Sequence, residues 1–192
     1  ANTAIATIGE TTNEYLLNGT NTVNAITLSN SAIQKVGLEF DISSNLPVYG
    51  CSFESKEGVI VDNFASRANS GITLTSLKPA VLNGFNNHFS YDLIVLHFGL
   101  NVVSPKATDF HWYKTWMTRV INHFKEHLPN ASILLIGVAD KGTKVDGTMQ
   151  TDPSIPFVID AQRSAAIEAG AAFFNLFEAM GGEGSMIEWV EG

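Results

Sequence analysis

Apolar and polar positions along the chain change rhythm near residue 57. Before that point the apolar residues come in short runs: Thr3–Ile8, Asn13–Leu17, Val23–Leu28, Lys35–Asp41 and Val48–Phe53. Alternation is clearest in Val36-Gly37-Leu38-Glu39-Phe40, the period-two signature of a strand with one buried face. Turn formers separate the runs at Asn18-Gly19, Asn30-Ser31 and Ser43-Ser44-Asn45. Strand following strand without an intervening helix predicts a β-sandwich or meander over residues 1–56.

After residue 57 the period alternates between strand and helix. A strand at 58–62 leads to a helix near 74–84, and a strand at 91–97 leads to a helix at 108–127. A strand at 132–138 is followed by a long loop, Asp140 to Pro153, and a helix at 155–169. A strand at 171–175 and helices near 176–180 and 184–190 complete the set. Tyr113, Met117, Val120, Phe124 and Leu128 make one apolar stripe, and Gly170 offers the left-handed residue that ends a helix. Successive strand–helix units with short connections predict a parallel sheet. The loop from Asp140 to Pro153 is long for such a connection; rimming a cleft and a surface excursion both fit it.

One run carries the chemistry. Tyr91-Asp92-Leu93-Ile94-Val95-Leu96-His97-Phe98-Gly99-Leu100-Asn101 is apolar over a strand's length and then ends in glycine and asparagine. Ligands of open α/β sheets gather at the C-terminal ends of strands, which is where Asn101 falls. Asparagine also turns chains well, so these residues alone leave both roles open. Upstream, Gly58-Val59-Ile60-Val61-Asp62-Asn63 reads as a second strand, and Asn69-Ser70-Gly71 closes the loop after it.

A strand, a loop closing on Asn-Ser-Gly, a helix, and then a strand closing on Phe-Gly-Leu-Asn together resemble the SGNH (GDSL-type) hydrolases. Gly71 matches that family's second block and Asn101 its third. Val102 follows Asn101 where the family usually has aspartate, as in a branch of carbohydrate-directed esterases, and Phe173 to Gly182 also looks like that branch. The resemblance covers about residues 58 to 192. It implies a three-layer α/β/α domain over 57–192, with 1–56 as part of an inserted carbohydrate-binding-type sandwich. It implies that Gly71 and Asn101 donate hydrogen bonds to the oxyanion of an acyl-transfer intermediate, which needs no cofactor and no metal. The implied substrate is an acylated, above all acetylated, bacterial polysaccharide or peptidoglycan, and the implied location is periplasmic or secreted.

Two family blocks do not occur in these residues. There is no Gly-Asp-Ser to supply the nucleophile and no Asp-x-x-His to supply the base. Ile8-Gly9-Glu10-Thr11 has the outline of the first block, with Thr11 in the place of serine. A threonine hydroxyl attacks only with a base beside it. Ser66 and Ser70, which flank the second block, read as loop hydroxyls bonding the backbone. The family's first strand would lie between those at 58–62 and 91–97. The Thr3–Ile8 segment, a further stretch of polypeptide or a second chain would have to fill that place, since an unfilled slot leaves backbone groups unpaired.

Composition narrows the classes further. The chain of 192 residues can bury a real core as one large or two small domains. It is 45% hydrophobic with no apolar run of about eighteen residues, so no membrane-spanning helix is expected. A net charge of −8 without a Lys/Arg cluster argues against a nucleic-acid surface. Cys51 is single and is expected to be a small buried hydrophobe. His123-Phe124-Lys125-Glu126-His127 fits the H-x-x-E-H pattern of some zinc peptidases, but both histidines fall at the edge of the apolar stripe, in a last helical turn where cations suit the dipole. His97 is expected to line the substrate cleft or sit hydrogen-bonded in the core. Asn18-Gly19-Thr20 and Asn130-Ala131-Ser132 are glycosylation triplets, meaningful only in a eukaryotic secretory route. Three functions fit: a serine esterase whose oxyanion half lies here, a carbohydrate-binding fragment on a catalytically dead scaffold, and an assembly fragment completed by a partner.

Overall fold

The β-branched and alanine alternation of Thr3-Ala4-Ile5-Ala6 organises the first sheet. The computed structural model describes residues 2–28, 35–42, 45–55 and 57–191, and the chain divides into two units, Ala1–Ala65 and Ser66–Gly192. In the first unit, β1 (Thr3–Ile8) is central in a three-stranded antiparallel sheet with β2 (Thr11–Leu16) and β3 (Val36–Asp41), in the order β2-β1-β3. Ile8 pairs with Thr11 across the two-residue turn Gly9-Glu10, and Ile8 also pairs with Val36 on the other edge. The alternation decides which face is covered: Ala4 and Ala6 are buried.

Three strands expected in this unit do not form among the described residues. Residues 23–28 and 48–53 have no sheet pairing among the described residues, and Cys51, expected to be buried, is exposed. The run at 58–62 likewise makes no ladder, with Val59 and Val61 93% and 84% exposed. A β-branched run becomes a strand only where a neighbour supplies its hydrogen bonds and cross-strand contacts. The expected sandwich is therefore one sheet among the described residues. The turn signals at Asn30-Ser31 and Ser43-Ser44 lie outside them.

The second unit has the α/β architecture that the alternating periods predict. A turn of 3-10 helix, Ile72–Ser76, precedes α1 (Pro79–Phe89), so the single helix expected at 74–84 is split. Pro79 explains the break, because proline fits the first turn of a helix but not its interior. Strand β4 (Leu93–His97) leads to α2 (His111–His127), and β5 (Ser132–Ile136) follows. The long loop expected next contains a hairpin, β6 (Gly142–Val145) and β7 (Thr148–Thr151), turning at Asp146-Gly147. Helix α3 (Ile155–Ala169) leads to β8 (Ala172–Phe174), then α4 (Leu176–Met180) and α5 (Ser185–Glu191). Strands β4, β5 and β8 form a parallel sheet in that order.

Helices α2 and α3 pack on each other and, with the sheet, enclose the core. Met117, Val120 and Ile121 of α2 meet Ile155, Val158 and a run of alanines on α3, over Leu96, Ile133 and Leu135 of the strands. The alanines Ala161, Ala165, Ala166 and Ala169 let the two helices approach closely. Lys125, in the last turn of α2, donates to the carbonyl of Ala169 at 2.7 Å, which satisfies the C-terminal end of α3. At the hairpin base, buried Asp140 accepts from the N–H groups of Lys141 and Met186, and the Thr151 hydroxyl accepts from Gly184 N–H. These bonds fasten the start of α5 to the sheet-end hairpin. Strand β4 is an edge strand, and the side chains of Leu93 and Val95 on one of its faces are 52% and 49% exposed.

Candidate functional site

Strand β4 ends at His97, and the chain turns over Gly99, Leu100, Asn101 and Val102, closed by Val102 N–H donating to the Gly99 carbonyl at 3.0 Å. A second loop, residues 68–71, lies against this turn. The Asn101 side chain donates from Nδ2 to the Ala68 carbonyl at 3.1 Å. Ala68 has φ 57, a left-handed conformation that costs a non-glycine residue about 1–2 kcal/mol. Strain of that kind persists only where surrounding contacts hold it, and Asn101 is one of them.

Gly71 sits buried at the end of this loop with φ 87. A Cβ built on it would lie 2.9 Å from Cγ of Phe98, so the ring of the residue preceding Gly99 packs directly on the Gly71 backbone. Only glycine meets both the dihedral and the close approach. Its N–H donates to Oδ1 of Asn69 at 2.8 Å, and the Thr73 hydroxyl donates to the same oxygen at 3.2 Å. In this conformation the single Gly71 proton is therefore engaged, while Asn101 uses one of its two amide protons on Ala68.

Two buried side chains stitch these loops to the helices. The Tyr113 hydroxyl on α2 donates to the Ser70 carbonyl at 3.0 Å. Gln162 on α3 donates from Nε2 to the Phe98 carbonyl at 2.8 Å and accepts from Val138 N–H at 2.9 Å. The Gln162 amide and the Tyr113 hydroxyl come together beneath Gly99, where a built Cβ would lie 2.9 Å from Gln162 Nε2 and 3.1 Å from the hydroxyl. Burial pushes that hydroxyl well above the ordinary tyrosine range, with the nearby Gln162 side chain working the other way. Sequence patterning places Tyr113 in a core stripe and Gln162 in a capped helix. What the patterning misses is that their polar ends converge. The signal available was a tyrosine and a glutamine on otherwise apolar helix faces, since buried polar groups find partners.

The other predicted residues fall elsewhere. Thr11 opens β2 beside the exposed Gly9-Glu10 turn of the first unit. His97 is exposed, on the β4 face it shares with Leu93 and Val95. Ser66 is exposed, and Ser70 contributes its carbonyl to Tyr113. His123 meets the Leu77 carbonyl at 2.9 Å through Nε2, with the His127 ring centroid 4.8 Å from its own. Among the described residues no group of three or more His, Cys, Asp or Glu side chains is placed to hold a metal ion, and no helix is long and apolar enough to cross a membrane. A hollow lined by Lys125, Ser132, Ile133, Gly170 and Ala172 lies at the N-terminal ends of β5 and β8, the opposite end of the strands from Asn101.

A parallel sheet flanked by helices, with the glycine loop and the Gly99–Asn101 turn at its C-terminal edge, defines an SGNH-like α/β fold. A solved structure titled "Peptidoglycan O-acetylesterase in action, 5 min" is similar to this chain at 25% identity and a TM-score of 0.51. The match covers 63% of this chain and 35% of that one, so it spans about a third of that protein's length. No protein-family model and no curated protein matches the chain.

Proposed function

We propose that this chain carries the oxyanion half of an SGNH-type serine esterase that removes acyl groups, acetyl above all, from a bacterial polysaccharide or peptidoglycan. The observation that carries the reading is the adjoining of the Gly71 loop and the Asn101 turn at the strand ends, in a chain similar to a peptidoglycan O-acetylesterase. Acyl transfer builds negative charge on a carbonyl oxygen, and donors fixed in place beforehand stabilise it without reorganisation. On this reading Asn101 offers its second amide proton. Gly71 offers its N–H once the Asn69 carboxamide gives way, and His97 borders the cleft.

The nucleophile and base enter from a completing segment or a second chain, whose strand pairs on the free edge of β4. The apolar exposed face of β4 supports that place for it. Residues 1–56 then belong to an inserted carbohydrate-binding-type sandwich and 57–192 to the hydrolase domain, in a periplasmic or secreted protein.

The test is acetate release from O-acetylated peptidoglycan and turnover of 4-nitrophenyl acetate by this chain together with its completing segment or second chain, with and without Asn101→Ala. Removing one oxyanion donor should cost about 100- to 1000-fold in kcat. A completed protein that turns over neither substrate and takes no serine-directed phosphonate label sinks the esterase reading and leaves the binding or assembly fragment. One specific observation favours that second reading: the Gly71 proton is already spent on Asn69.

A further inference from the structure

We infer that Tyr113 and Gln162 form a positioning pair that fixes the separation of the two loops of the candidate oxyanion site; for its catalytic consequence this rests on the esterase reading above. The two loops come from distant stretches of chain, and each is held by a backbone carbonyl. Ser70, immediately before Gly71, is held through Tyr113, whose hydroxyl lies 43 positions away in sequence. Phe98, immediately before Gly99, is held through Gln162, 64 positions away. The polar ends of the two side chains converge beneath Gly99, so the Ser70 and Phe98 carbonyls are held from one buried place.

Tyr113 gives its only proton to Ser70. A Gln162 Nε2 proton goes to Phe98, and Oε1 takes the N–H of Val138, two residues past the end of β5. Both side chains are fully buried, which makes each of these bonds costly to break and leaves little freedom to either loop. The pair also lies directly beneath Gly99: a Cβ there would come within 2.9 Å of Gln162 Nε2 and 3.1 Å of the Tyr113 hydroxyl. Neither residue reaches the surface where an ester would bind, so both act through Gly71 and Asn101 rather than on substrate.

Tyr113→Phe and Gln162→Met test this, the first deleting one hydroxyl and keeping the ring, the second keeping length without the amide. Amide hydrogen exchange is read at Gly71 and Val102, both hydrogen-bonded in the loops, and at Leu135 in the core strand. In Tyr113→Phe the exchange at Gly71 and Val102 should rise by about tenfold or more while Leu135 keeps its protection. With 4-nitrophenyl acetate, kcat should fall about 10- to 100-fold with KM changed by less than about twofold. A uniform rise that includes Leu135, or loop exchange that stays at the wild-type rate, overturns the inference, as does an unchanged kcat in an active protein. If the wild-type chain joined by its completing segment hydrolyses no ester, the function proposed above fails, and the exchange pattern still decides the positioning role.

Discussion

Replacing Gly99 by alanine perturbs the centre of the buried network, and its cost can be worked out from the structure. Gly99 has φ 118, a backbone region that side chains avoid, and imposing it on alanine costs about 1–3 kcal/mol. The added methyl would also lie 2.8 Å from Val138 Cγ1 and 2.9 Å from Gln162 Nε2. Neither neighbour can retreat cheaply. Val138 is fully buried, and Gln162 is held by the Phe98 carbonyl and the Val138 N–H. Overpacking of that kind costs about another 1–3 kcal/mol, for a total of roughly 2–6 kcal/mol. Gly147→Ala is the matched control. Gly147 has φ 88 with nothing within 4 Å of a built Cβ, so only the backbone cost applies, about 1–2 kcal/mol. Urea unfolding followed by tryptophan fluorescence reads the second unit alone, because Trp112, Trp116 and Trp189 all lie in it. A Gly99→Ala loss no larger than that of Gly147→Ala, at unchanged m-value, would refute the packing described around the turn.

Two further outcomes follow from the same geometry. Lys125→Met removes the ammonium that bonds the Ala169 carbonyl, so unfolding free energy should drop by about 0.3–1 kcal/mol at low salt, and an unchanged midpoint would show that bond to be idle. Tyr113 gives a pH signature with a definite sign. Its folded-state pKa lies above the ordinary value of about 10, so the folded state keeps a proton that the unfolded chain releases. Its contribution is therefore complete below pH of about 10 and is lost as pH climbs above it, making wild-type stability fall more steeply than that of Tyr113→Phe by up to about 1.4 kcal/mol per pH unit. Parallel curves through that window would mean the hydroxyl is not buried.

The helices of the second unit are the elements most legible from the residues. Helix α3 runs over 155–169, as its period and the Gly170 cap require, and α2 buries the stripe from Tyr113 to Leu128. Such elements carry their own evidence, since an amphipathic period and a cap are local properties. The hairpin at 142–151 was marked by Asp146-Gly147, a strong turn signal, but its flanking strands are largely polar and short, and no apolar alternation announced them. The runs at 23–28, 48–53 and 58–62 fail for the opposite reason. Their composition favours strands, yet a strand is a relation between segments, and none of the three joins a sheet among the described residues.

The candidate site divides along the same line. Gly71 and Asn101 stand out because each closes a strand-and-loop pattern, and the structure brings their loops into contact. Tyr113 and Gln162 could not be read that way. A tyrosine on an apolar stripe is indistinguishable in sequence from one that only packs, and its role depends on a carbonyl 43 positions away. Asn69 shows the limit most sharply. It reads as part of a turn, and in the structure its side chain holds the proton that the esterase reading assigns to an oxyanion. If that reading holds, the carboxamide oxygen of Asn69 stands in for the oxyanion at rest. Donation by Gly71 then requires the acyl oxygen to outcompete a neutral amide. A developing oxyanion can do so, because hydrogen bonds to a charged acceptor are roughly twice as strong as those to a neutral one.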